Sequence, residues 1–103
     1  MNSADQLIYN ASLLADVDDV EGAMAALEDA ISLSEVAGFH LQLLRARLFY
    51  GELLLALDRN DDAAAQFLGV LVVSAHFRDE PELVSDEVAA ATEHLERLGG
   101  DDA

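Results

Sequence analysis

Residues 8–30, IYNASLLADVDDVEGAMAALEDA, lie in register over residues 48–70, LFYGELLLALDRNDDAAAQFLGV, when the chain is slid 40 places along itself. Ile8, Ala11, Leu14, Ala23, Leu27 and Ala30 fall on Leu48, Gly51, Leu54, Ala63, Phe67 and Val70, and a partial third copy continues with Val88 and Ala91. A fixed period in this range marks stacked helical hairpins, because one hairpin cannot bury its apolar face alone and its neighbours complete the core. Stacks of this kind present recognition surfaces and seldom carry chemistry.

Working outward from the two copies, the punctuation predicts five helices and no sheet. The first helix of the first copy (A1) runs from about Ala4 to Asp16, with Ser3 as N-cap and Gln6 completing a capping box. An acidic turn with a second box at Asp18 and Glu21 leads into its second helix (B1), which Gly38 stops through a left-handed C-cap. The second copy gives A2 over His40 to Leu57, a turn at Asp58 to Asn60, and B2 over Asp61 to Phe77. Pro81, a favoured first helical residue, opens a last helix, A3, that ends at Gly99 and Gly100. Residues 101–103 are read as a fraying acidic tail behind a single domain of residues 1–100. The valines of residues 70–73 also suit a buried strand, but no strand partner exists in the sequence, and Ala63 to Gln66 favour helix.

Composition bounds the rest. At 103 residues the chain is one domain, and 52% hydrophobic residues place it well outside the disordered range. No apolar run approaches the roughly 18 residues of a membrane span. The N-terminus, with Asp5 and no basic residue, does not resemble a signal peptide, so a cytoplasmic location is expected. With no cysteine, disulfides, thiolate metal sites and cysteine nucleophiles are excluded.

The net charge of −16 comes from 21 acids against five basic residues, all arginine. At molar salt the Debye length falls to about 3 Å and the self-repulsion of such a surface is screened. Acids spread along the whole chain, without lysine, over an ordinary apolar core, suggest a protein of a salt-filled cytoplasm. The alternatives are a nucleic-acid mimic or a partner for a basic protein. Direct nucleic-acid binding is not expected, since five scattered arginines make no basic surface.

The repeat resembles the tetratricopeptide repeat. That pattern has a small residue in mid-helix A, a leucine or aromatic three positions on, an acidic turn, then alanine, a large residue and alanine on helix B. Ala11, Leu14, Asp18, Ala23, Leu27 and Ala30 fit in the first copy, and Gly51, Leu54, Asp58, Ala63, Phe67 and Val70 in the second. The departures are a period of 40 where about 34 is usual, the missing tryptophan and second-copy turn glycine, and Val70 in place of alanine. The resemblance implies an all-α, right-handed stack of antiparallel hairpins, two repeats with A3 as a capping half-repeat; the alternative is an irregular five-helix bundle. It also implies a non-catalytic adaptor or scaffold that binds a protein or peptide.

Two surfaces follow. Carried over by register, the groove-lining face of the A helices holds Asp5, Ile8 and Ser12, then Arg45, Leu48, Glu52 and Leu55, then Val88 and Thr92. Its apolar row of Ile8, Leu48 and Val88 could seat a helix or extended segment, with Arg45 for a carboxylate; alternatively the same residues fill a core. The second surface is the outer face of B2. B1 carries Glu28, Asp29, Ser32 and Glu35 there, whereas B2 carries Leu68, Gly69, Val72 and Ala75. A helix apolar all round is buried all round. Either A3 packs across it, or Ala65, Leu68, Gly69, Val72 and His76 meet a second copy, with Ala65 and Gly69 permitting close approach. A homodimer is the expected outcome. The competing role is a homo-oligomeric structural protein or an obligate subunit with no ligand groove.

No cofactor or metal is expected. His40, His76 and His94 share no ligand spacing, the acid pairs Asp18–Asp19 and Asp61–Asp62 sit where they complement helix dipoles, and no Gly-rich phosphate loop is present. Nothing in the sequence forms a catalytic constellation, so an enzyme is not expected.

Overall fold

The computed structural model describes residues 1–100. It is an all-α stack of five helices in which each helix packs against the next: α1 (Ser3–Asp16), α2 (Val20–Ala37), α3 (His40–Ala56), α4 (Asn60–Ser74) and α5 (Ser85–Gly100). No strand occurs among the described residues, and the valines of residues 70–73 are helical. Two short 3-10 turns, Ala75–Phe77 and Pro81–Val84, join α4 to α5. The principal extents of 42 × 37 × 20 Å make a slab two helices thick.

Most positions paired by the 40-residue slide share their burial, Leu14 being half-buried where Leu54 is buried. Ala11, Ala23, Leu27 and Ala30 are fully buried in the first hairpin, as are Gly51, Leu54, Ala63, Phe67 and Val70 in the second. Ile8 and Leu48, also paired, are both half-buried. Each hairpin has its own core. Ala46 of α3 joins the first core, while Met24 of α2 and Ala91 of α5 join the second. Ile31, Tyr50 and Leu53 pack against both and weld the two cores together.

The turns repeat bond for bond. Asp18 and Asp58 both adopt left-handed backbone, at φ 62° and 59°. The Asp19 amide donates to the Leu14 carbonyl at 2.8 Å, and the Arg59 amide to that of Leu54 at 2.9 Å. Midway between them Gly38, at φ 73°, caps α2 as the sequence indicates, its amide donating to the Ser34 carbonyl. Left-handed residues thus stand at 18, 38 and 58, one at each reversal, and Arg78 breaks the series with φ −60°.

The helix ends differ in detail from the sequence reading. The N-cap of α1 is Asn2, not Ser3. Its side chain accepts from the Asp5 amide, Asp5 accepts from the Asn2 amide, and Gln6 instead donates to Asn10. Asp18 cannot cap α2, because its left-handed backbone belongs to the turn, so Asp19 takes that place and accepts from the Gly22 amide. The α-helical part of B2 stops at Ser74, whose hydroxyl donates back to the Leu71 carbonyl at 2.6 Å as the last turn tightens. Pro81 opens a 3-10 turn and not α5 itself. The helix α5 runs through Gly99, and the proposed tail of 101–103 lies outside the described residues.

Candidate interaction surfaces

The A-helix face is neither an open groove nor a filled core. Ile8 leans on the first core, while Leu48, Leu55 and Val88 lean on the second, each half-buried. Polar side chains cross from one A helix to the next between them. Gln42 donates to Asp5 at 3.2 Å, the Arg45 Nε to Glu87 at 3.0 Å, and His94 lies 3.1 Å from Glu52. The Arg45 guanidinium is therefore engaged by a carboxylate of its own chain and is not waiting for a ligand's. Thr92 spends its hydroxyl on the Val88 carbonyl, and Ser12 is half-buried.

Asp5 concentrates several of these contacts. The Asn2 backbone amide holds its carboxyl below the ordinary value, opposed by partial burial and helped by Gln42, the N-terminal charge and Arg45. The His94 ring also stacks on Phe67, centroids 4.7 Å apart, so one imidazole closes the second core and reaches the polar bridge. Gln42 and Glu87 escape sequence reasoning because they pair across helices whose relative shift the 40-residue register does not set.

The outer face of α4 is open. Leu68 is 54% and Val72 73% exposed, and Ala65 and His76 are exposed too, so α5 does not cover this face. Of the two ways to cover an all-round apolar helix, packing by α5 is thus ruled out within the single chain, since a slab two helices thick leaves the outer side of α4 in water. Gly69 has a partner of its own. A Cβ there would lie 3.0 Å from the Arg47 Cδ, so within the chain the missing side chain makes room for that arginine. Arg47 donates to Gln66 at 3.2 Å and pairs with Glu35 of α2 at 3.7 Å. His76 stacks face to face on His40, centroids 3.6 Å apart.

A second exposed stripe was missed by the sequence reading. Tyr9, Leu13 and Val17 stand four apart at one end of the stack and are 54%, 47% and 72% exposed. The spacing was legible, but these positions fall outside the paired set that fixes the repeat.

Among the described residues no three His, Asp or Glu side chains converge to hold a metal ion, and no helix is long and apolar enough to cross a membrane. No known protein family, curated protein or solved structure matches the chain.

Proposed function

We propose that this chain is a non-catalytic protein-interaction module of the tetratricopeptide-like kind, working as a homodimer in a salt-adapted cytoplasm. One observation carries the reading: α4 exposes Leu68 and Val72 where the first hairpin exposes Glu28, Asp29 and Ser32. On so acidic a surface an open apolar face marks a contact, and two-fold pairing is the commonest way to cover a self-complementary patch. The half-buried row of Ile8, Leu48 and Val88 then serves a protein or peptide segment. The polar bridges across that row favour a second reading, a structural homo-oligomer or obligate subunit that keeps no groove.

Light scattering in molar KCl tests the pairing. The parent chain is expected to be a dimer and Val72→Glu a folded monomer, because a charge in the contact is desolvated beside its own symmetry copy. A monomeric parent removes the proposal. Salt adaptation is tested separately by thermal melts across a KCl series. The midpoint should rise as the Debye length shrinks from about 8 Å to about 3 Å; a flat or falling midpoint argues for the basic-partner alternative.

A further inference from the structure

A pocket of about 350 Å³ opens where α4 hands the chain to α5. Its walls are Phe77, Pro81, Val84, Val88 and Ala89, with Arg78 beside them. Two serines also line it, but their hydroxyls are spent: Ser74 donates to the Leu71 carbonyl and Ser85 to that of Glu82. Arg78 is left as the lining side chain with donors to offer.

The pairing of the other arginines sharpens this. Arg45 pairs with Glu87, Arg47 with Glu35, Arg59 with Asp62 and Arg97 with Glu93. Among the described residues Arg78 alone has no carboxylate at ion-pair distance, in a chain with 21 acids to choose from, and no carboxylate lines the pocket. An apolar hollow with one unmatched arginine among its lining residues is complementary to a molecule with an apolar body and one anionic head. A polyanion would need more than a single cation.

We infer that this pocket binds a medium-chain aliphatic carboxylate, its alkyl tail among Phe77, Val84 and Val88 and its head group on Arg78. Size sets the chain length. A hollow of about 350 Å³ lies at the small end of ligand pockets and suits a tail of about eight carbons. The inference stands apart from the homodimer proposal, since none of these residues belongs to the exposed face of α4, but it shares Val88 with the proposed groove row.

The test follows the methyl resonances of Val84 and Val88 in the full-length chain, at high KCl, during titration with hexanoate, octanoate and 1-octanol. Octanoate should give saturable shifts and bind about tenfold more tightly than hexanoate, as two buried methylenes dictate. It should also bind about tenfold more tightly than 1-octanol, which lacks the charge-assisted bond. Arg78→Gln should bring octanoate down to the level of the alcohol and leave the alcohol unchanged. Ala89→Phe, which fills the hollow, should abolish both. Arg78 and Ala89 are exposed, so each variant should fold, which thermal melts check. Absent or unsaturable shifts, equal binding of acid and alcohol, or an Arg78→Gln variant that holds octanoate as tightly as the parent would each overturn the assignment.

Discussion

The two hairpins share a backbone plan and differ in what fills it. Between α1 and α2 the core is lean, with Ala11, Ala23 and Ala30 around a single large residue, Leu27. Between α3 and α4 the same places hold Gly51, Ala63 and Val70 around Phe67, and Leu54, Leu43 and Leu44 add bulk. The larger ring demands the smaller partner. A Cβ on Gly51 would lie 2.7 Å from Phe67 Cε1, a distance no packed core accepts, whereas Ala11 faces a leucine and keeps its methyl. A repeat thus conserves the sum of two facing volumes and not the identity of either residue.

That compensation is where the comparison can be broken with the largest effect. Gly51→Leu should cost about 1–3 kcal/mol, since Phe67 is fully buried and has nowhere to retreat. Gly51→Ala with Phe67→Leu should recover much of the loss by rebuilding the Ala11–Leu27 pair. A double-mutant cycle read by denaturant melts should return a coupling of about 0.5–3 kcal/mol. Additive costs would mean that the two residues do not share one space, and the equivalence of the hairpins would go with them.

The caps allow a smaller test. The helix α2 is capped by Asp19, which accepts from the Gly22 amide, whereas Arg59 occupies the same place before α4 and makes no side-chain cap. The acid has moved three places on: Asp62 takes both the Nε and Nη2 of Arg59, at 3.1 and 2.9 Å. Asp19→Ala should therefore cost about 0.5–2 kcal/mol. Arg59→Ala should cost under about 1 kcal/mol, the worth of an exposed pair. Equal losses in chemical denaturation would show that the cap geometry makes no difference between the hairpins.

The smallest effect lies at the joint. Tyr50 of α3 donates to Glu28 of α2 at 3.1 Å, and burial first, then that carboxylate, pushes its phenol above the ordinary value of 10.0. The folded chain favours the neutral phenol. Its contribution is intact below that ordinary value and is lost as pH climbs from there through the raised one. Absorbance titration in a Tyr9→Phe background should place the Tyr50 midpoint above 10.0, and Glu28→Gln should return it part of the way. A midpoint insensitive to Glu28→Gln would leave burial as the only cause.

Much of this fold was legible because small residues are the limiting resource at a helix crossing. Ala11, Ala23, Gly51 and Ala63 had to recur in register, and all four are buried. The turn acids were legible as turns but not in their role: Asp18, read as a cap, stands in left-handed backbone, which few residues besides glycine tolerate. The caps were ambiguous by one residue: Asn2 and Ser3 each precede a suitable partner by three places, and only the course of the backbone separates them. The surfaces were least legible. Whether Leu68 and Val72 face water depends on how many layers the stack has, and whether Arg45 is free depends on where Glu87 lands. Neither is a property of local spacing.

The left-handed residues at 18, 38 and 58 keep a metre of twenty residues to each reversal, and the chain drops the beat at Arg78. There the reversal spreads over two 3-10 turns, and the hollow opens beside them. That hollow is a by-product of broken rhythm, not of a core with something missing. The exposed residues from Arg78 to Leu83 can therefore change at little cost to the core, which holds the joint by Phe77 and Val84, while the hairpins before it keep time.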